Sequence, residues 1–360
     1  MGQLRIPGPT PCPPEVLQAM AWQMINHRGP EFGKMLHDVT AKLKQIFQTQ
    51  NDLYLLTCSG TGGLEAAIVN TLSPGDKVLA VAVGAFGERF TSMAGVFGAE
   101  VIPVRAEWGK AADPDEVRRA LQKEPKIKAV LMTHNETSTG VTNDLAAISA
   151  VVKEFDKLLL VDAISSLGSI DLPVDKWHCD VTVSASQKGW MVPPGLAMVS
   201  VSKEAWQAYA KAKMPRFNWD FASAQKYLEI GQTPWTPAIS IVFALSVALD
   251  MMLKEGLSNI FARHARVGKA ARAGVKALGL SLFADEKYAS DTVTAVSVKD
   301  GMNVKEMLKI MREEYQIVLA GGQQSLQGKI FRIGHLGLVT EEDIKEIISA
   351  LKEVLPRVSA

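Results

Sequence analysis

Between positions 53 and 201 the apolar residues fall in short, nearly unbroken runs, and these runs alternate with stretches of helical period. Residues 53–57, 77–83, 101–104, 129–133, 158–161, 181–184 and 197–201 read as seven strands. Helices are predicted over 63–72, 86–97, 114–122 and 144–155. Before them, 31–48 sets Phe32, Met35, Leu36, Val39, Leu43, Ile46 and Phe47 on one helical face. Strands that are apolar on both sides must be covered on both sides, which predicts an α/β fold with a mostly parallel sheet between helical layers. Ligands bind such sheets at the carboxyl ends of the strands.

Residues 237–277 read as a long helical region broken at Gly256. Beyond it, strands at 292–298 and 330–333 interleave with helices at 304–314 and 341–354, the pattern of a smaller α+β unit. Residues 1–14 hold five of the 17 prolines and predict an extended arm. The expected organisation is an arm (1–15), a large domain (16–255) and a small C-terminal domain (256–360).

Composition narrows the class. The 360 residues are 47% hydrophobic and 21% charged, as in ordinary soluble globular proteins. A net charge of +1 with no basic block gives no footprint for nucleic acid or an anionic membrane. The apolar runs stop well short of the roughly 18 residues of a membrane span, and the first residues lack a signal-peptide core. Cys12, Cys58 and Cys179 show no paired spacing and read as reduced thiols of a cytoplasmic protein. His134 and His178 form no metal set with a nearby carboxylate pair, so no metal is expected, and His264 is expected on a helix surface.

Four places carry candidate chemistry. Lys188 stands alone where a buried-looking strand ends, in Ser184-Ala185-Ser186-Gln187-Lys188-Gly189. A lysine delivered there can lose its proton and attack a carbonyl; a solvated lysine at a strand end fits the same segment. Ser59-Gly60-Thr61-Gly62-Gly63 follows a strand and opens a helix, which suits a phosphate but is also a common turn. It is neither a dinucleotide fingerprint nor a P-loop. Asp162 ends a very apolar strand one strand–connection–strand excursion before Lys188; it is either a helix cap or the partner of a protonated ring nitrogen. Arg332, within an apolar strand, needs an anion, supplied either by the protein or by a substrate carboxylate. An anion seat, a buried carboxylate and a lone lysine are the protein parts that pyridoxal phosphate requires.

Taken together, these segments resemble the class V aminotransferases, fold-type I pyridoxal-phosphate enzymes. The likeness is greatest to the alanine/serine–glyoxylate branch, which includes proteins named as small subunits of soluble hydrogenases. It runs nearly end to end, through Ile6-Pro7-Gly8-Pro9-Thr10, the Ser59–Gly63 turn, Thr133-His134-Asn135-Glu136-Thr137-Ser138-Thr139-Gly140, Asp162-Ala163-Ile164, Gln187-Lys188-Gly189, Thr233-Pro234-Trp235-Thr236-Pro237 and Lys329-Ile330-Phe331-Arg332. The resemblance implies a seven-stranded large domain and a small α+β domain. It makes Lys188 the lysine that carries the cofactor, with Gln187 at the phenolic oxygen and Asp162 at the ring nitrogen. Phe86 and Ile164 take the two ring faces. Thr61, Gly62 and Gly63 form the phosphate loop, Gly63 through its backbone because many relatives have His there. Thr137 lies near cofactor and substrate. Thr233 and Thr236 reach the cofactor phosphate of a neighbouring subunit, Thr233 where many relatives have Tyr, which implies a homodimer with shared sites. Arg332, with Gly8 nearby, takes the substrate carboxylate.

The implied reaction moves the amino group of alanine or serine to a 2-oxo acid such as glyoxylate or pyruvate, in a ping-pong cycle. Cysteine desulfurases share the fold but need a nucleophilic cysteine late in the chain, and none follows Cys179. His27-Arg28-Gly29-Pro30 resembles a segment of phosphoserine aminotransferases, yet Gln323-Gln324-Ser325-Leu326-Gln327 lacks the second cationic pair of that group. Arg28 leaves aspartate open as a donor. A non-catalytic partner subunit would not need Lys188, Asp162 and Arg332 together.

Overall fold

The computed structural model describes residues 2–299 and 301–358. Seven strands form the main sheet: β1 (Asp52–Leu56), β2 (Lys77–Ala82), β3 (Glu100–Arg105), β4 (Ile127–Thr133), β5 (Leu158–Asp162), β6 (Val181–Ala185) and β7 (Ala197–Val201). Their order is β1-β7-β6-β5-β4-β2-β3, and only β7 runs antiparallel to its neighbours.

The side-chain period of two explains why these strands read as continuous apolar runs. Leu79, Val81, Val130, Met132, Leu159 and Val161 face one core. There they meet α1 (Pro30–Phe47) and the helices Pro114–Lys123, Leu145–Glu154 and Ile239–Glu255. Val78, Ala80, Ala129, Leu131, Leu160 and Val183 face the other core, against α2 (Gly60–Thr71) and α3 (Ala85–Val96). Each leucine buried this way is worth roughly 1.5–3 kcal/mol, so the two layers hold the strand ends firmly.

The long helical region breaks where the sequence places the break. Helices Ile239–Glu255 and Leu257–Ala277 meet at Gly256, whose φ of +83° suits glycine. A second sheet follows, of β8 (Ser281–Leu282), β9 (Val293–Ser297), β10 (Ala320–Gly321) and β11 (Ile330–Gly334), in the antiparallel order β8-β9-β11-β10. Helices Leu257–Ala277, Val304–Glu313 and Glu341–Val358 close its core. The proline-rich arm is largely extended and bonds to segments of both the large and the small unit. Gln3–Leu4 pairs with Ile317–Val318, Arg5 bonds Asp343, and Thr10 N–H donates to the Gln187 carbonyl at 3.1 Å.

The helices Pro14–Ala19, Lys203–Tyr209 and Phe221–Glu229 are additions to the elements read from the sequence, and one expectation changes. His264 is buried rather than on a helix surface. Its Nδ1 meets the Ile260 carbonyl at 2.8 Å and its Nε2 accepts from Gly337 N–H at 3.2 Å, so both ring nitrogens are satisfied inside. No helix among the described residues is long and apolar enough to cross a membrane.

Candidate active site

The carboxyl ends of β2, β4, β5 and β6 open onto a cavity of about 410 Å³. Gly8, Thr61, Phe86, Thr137, Asp162, Ile164, Gln187 and Lys188 all line it. Asp162 and Lys188 arrive from neighbouring parallel strands, since β5 pairs with β6 and Lys188 lies in the turn that follows β6.

Asp162 is buried, and its Oδ1 accepts the Ile164 N–H at 3.0 Å. No cation among the described residues pairs with it directly. Burial pushes its pKa up to about 6; the Ile164 N–H opposes this, the Glu136 charge adds to it, and Lys188 and Arg89 pull it back. The folded pKa lies above the ordinary value of 3.8, so the folded chain holds this proton more tightly than the unfolded one. The associated stability is present at low pH and is lost as pH rises through about 6. An Asp162→Asn chain without cofactor should therefore melt above wild type at pH 8, by about 1–3 kcal/mol. The gain should fade as the pH falls to about 4. Melting curves across that range give the check, and a gain independent of pH would mean that Asp162 is not a strained buried charge.

The Lys188 ammonium donates to the Pro7 carbonyl at 2.5 Å. Burial draws its pKa down to about 8; Asp162 resists, while Arg332 and Arg89 assist. A lysine titrating there is a free amine for a useful fraction of the time near neutrality, as a nucleophile must be. The surroundings are tightly specified. Thr10 Oγ1 donates to the Lys188 carbonyl at 2.9 Å, and the buried Trp190 donates from Nε1 to Ser184 Oγ at 2.7 Å. Gly8 has φ +127°, and a Cβ there would come within 2.6 Å of Lys188 Nζ. The arm thus packs its backbone directly on the lysine.

Helix α2 begins at Gly60 beside the cavity, and Ser59 makes no side-chain cap. The first engaged amide is that of Gly63, to the Ser59 carbonyl at 3.2 Å. The amides before it have no helical acceptor and form an anion seat. Ser59, Gly60 and Thr61 line the cavity; Gly62 and Gly63 do not. A Cβ on Gly62 would strike Cys58, and one on Gly63 would strike Val183 and Ala197, so these glycines let α2 lie close to the sheet. Thr233 and Thr236 also lie outside this chain's cavity, Thr236 exposed and Thr233 donating to the Trp235 carbonyl at 2.7 Å.

Arg332 is buried on β11. Nε and Nη2 donate to the Gly321 carbonyl at 3.0 and 2.8 Å, and Nη1 to the Thr137 carbonyl at 3.0 Å. No carboxylate among the described residues pairs with it, so its charge is oriented without being neutralised. Burial lowers its pKa to about 10 and the Glu136 charge opposes that, leaving a cation at neutral pH. Arg28 is spent elsewhere. It donates to Gln232 Oε1 (2.8 Å) and to the carbonyls of Thr233 (2.7 Å) and Pro234 (3.1 Å).

Three residues without an assigned role in the sequence belong to this neighbourhood. Arg89 lines the cavity with its guanidinium 4.8 Å from the centre of the Phe86 ring and no acid partner among the described residues. Its position three residues after Phe86, on the same helical face, is the signal that could have found it. Gln323 lines the cavity with Oε1 buried and unbonded. Glu136 lies fully buried behind Phe86.

The residues fit pyridoxal phosphate. Asp162 is an acceptor facing the cavity without a cation, Gln187 Oε1 is buried without a partner, and the α2 amides await an anion. Fold and cavity together define a fold-type I pyridoxal-phosphate enzyme. Residues 4–347 match the family model Aminotransferase class-V. The chain is 47% identical to the soluble hydrogenase 42 kDa subunit of Anabaena cylindrica, over 98% of this chain and 92% of that one. It is 41% identical to the L-aspartate–glyoxylate aminotransferase of Paracoccus denitrificans, over 93% and 86%. A solved alanine–glyoxylate aminotransferase from Nostoc sp. superposes with a TM-score of 0.95 at 32% identity, covering 98% of this chain and 95% of the other. The chain belongs to the class V aminotransferase family and is a pyridoxal-phosphate-dependent transaminase acting on amino acid and 2-oxo acid substrates.

Proposed function

We propose that this transaminase moves the amino group of a small amino acid, alanine or serine, to a 2-oxo acid such as glyoxylate or pyruvate in a ping-pong cycle. The observation that carries this reading is Arg332. It is one buried guanidinium without an acid partner among the described residues, off the cavity lining itself but bonded to the carbonyl of Thr137, which lines it, and it suits one substrate carboxylate. When bound, pyridoxal phosphate supplies an aldehyde for the amine and a ring that draws electrons from the α-carbon. With the cofactor bound, Lys188 would tether it, and the Lys188 amine would be the base that takes the α-carbon proton. Asp162 keeps a proton on the ring nitrogen. Thr61 and the α2 amides take the phosphate, Phe86 and Ile164 flank the ring, and Gln187 bonds its oxygen. The arm, through Gly8 and Pro7, closes the site over Lys188.

A homodimer is part of the reading. Thr233 and Thr236 lie outside the lining of this chain's own cavity, and near them in the chain Phe217 and Trp235 stack at 4.7 Å on the surface. A second copy would cover that surface and receive the threonines.

Arg89 favours a second donor, aspartate, because an unpaired guanidinium at the cavity can hold a distal carboxylate. The test is a half-reaction screen. The loaded protein is mixed with alanine, serine, aspartate and phosphoserine, and loss of the cofactor's absorbance band is followed. Alanine and serine are expected to react fast, and a fast reaction with phosphoserine alone would overturn the assignment. If aspartate also reacts, Arg89→Ala should slow it about 10-fold or more and leave alanine nearly unchanged. An equal loss for both donors would remove Arg89 from substrate selection.

A further inference from the structure

Glu136 is fully buried, yet everything around its carboxylate donates. The amides of Phe86 (3.1 Å) and Gly87 (3.0 Å) point to Oε2, and the Ser138 amide (3.1 Å) and hydroxyl (2.5 Å) point to Oε1. The Ser138 oxygen itself accepts from Ala85 N–H at 2.9 Å, so its own hydrogen is directed at Glu136. Burial pushes its pKa upward, and the four donors pull against that rise.

This carboxyl group sits at the N-terminus of α3, where the capping position is Gly84 and no side chain of the helix's own caps it. Glu136 and Ser138 come from another part of the chain and satisfy three successive first-turn amides, those of Ala85, Phe86 and Gly87. The fit is close, because a Cβ on Gly84 would come within 2.5 Å of Glu136 Cγ. The second residue of α3 is Phe86, whose ring walls the cavity. The residue after Glu136 is Thr137, whose carbonyl orients Arg332. One buried tripeptide therefore fixes the backbone of the aromatic wall on one side and the free arginine on the other.

We propose that Glu136 is a positioning residue for the reaction: through the first-turn amides of α3 it holds Phe86 as the wall against which the cofactor ring lies. The proposal rests on the reading of Phe86 as the ring-facing aromatic. A helix cap that served stability alone would not need to be a buried carboxyl group reaching in from the segment whose Thr137 carbonyl also orients Arg332.

The test uses Glu136→Gln, which keeps the shape but turns an N–H₂ group toward amide donors. The loaded variant should show a weakened visible circular dichroism of the bound cofactor. Its kcat should fall about 100-fold, the scale of a small misplacement, while KM for the amino donor moves little. Adding Glu136→Gln to Phe86→Leu should cost far less than adding it to wild type, as expected if one acts through the other. Ser138→Ala should change the same readings in the same direction by less, and it carries the test if Glu136→Gln does not fold. A lowered melting temperature with wild-type dichroism and kcat would overturn the proposal and leave Glu136 a structural cap. So would full additivity with Phe86→Leu. Wild-type behaviour of Phe86→Leu would overturn the Phe86 reading itself, whereas a strong Phe86→Leu effect beside a silent Glu136→Gln overturns only the role of Glu136.

Discussion

Replacing Lys188 with alanine is expected to abolish transamination, lowering kcat by at least about 10⁴-fold. Under the proposed assignment two functions leave together: the covalent hold on the cofactor and the base at the α-carbon. Asp162, Gln187 and the α2 amides remain, so the variant should still take up pyridoxal phosphate, but in a form that gel filtration removes and without the absorbance band of the tethered cofactor. The wild-type lysine carries a pH signature as well. Its pKa is drawn down to about 8, so the amine fraction grows as pH rises through that value. Loading of the cofactor-free chain should speed up over the same interval, whereas a lysine of ordinary pKa would still be gaining amine two units higher. Retention of full activity by Lys188→Ala would sink the assignment.

Asp162 shows how much of this site the sequence could carry. A single carboxylate ending Lys157-Leu158-Leu159-Leu160-Val161 is legible because burial of an unpaired charge needs a reason. Its neighbourhood with Lys188 followed from strand alternation, and β5 does pair with β6. The sheet was legible for the same cause: both faces of each central strand are buried, so the runs are apolar without interruption. What was not legible depends on contacts far apart in the chain. Glu136 looked like one polar residue in a polar motif, and only the fold brings Ala85, Phe86 and Gly87 to it. Arg89 reads as a surface arginine until α3 is set at the cavity edge. His264 sits on a helix whose polar period suggests solvent, and its burial depends on the Gly337 amide from a distant loop. Gly62 and Gly63 add a packing role that a glycine-rich turn does not reveal in the sequence: their missing side chains make room for Cys58, Val183 and Ala197.

Arg332→Ala should raise the half-saturating concentration of the amino donor by about 10- to 100-fold, the loss of a charge-assisted two-point contact. The 2-oxo acid presents its carboxylate to the same place in the second half of the cycle, so its KM should rise in parallel. Cofactor affinity should change little, because none of the residues read as holding pyridoxal phosphate bonds to Arg332 through a side chain; Thr137 meets it only through its carbonyl. Arg332→Lys separates charge from geometry. A lysine restores the cation but cannot donate at once to the Gly321 and Thr137 carbonyls and to both oxygens of a carboxylate. It should therefore recover only part of the lost affinity. Isothermal binding of pyridoxal phosphate beside half-reaction titrations with donor and acceptor gives the comparison. If Arg332→Ala weakens cofactor and substrate equally, the guanidinium is there to brace Gly321 against Thr137, and the substrate carboxylate must be held elsewhere.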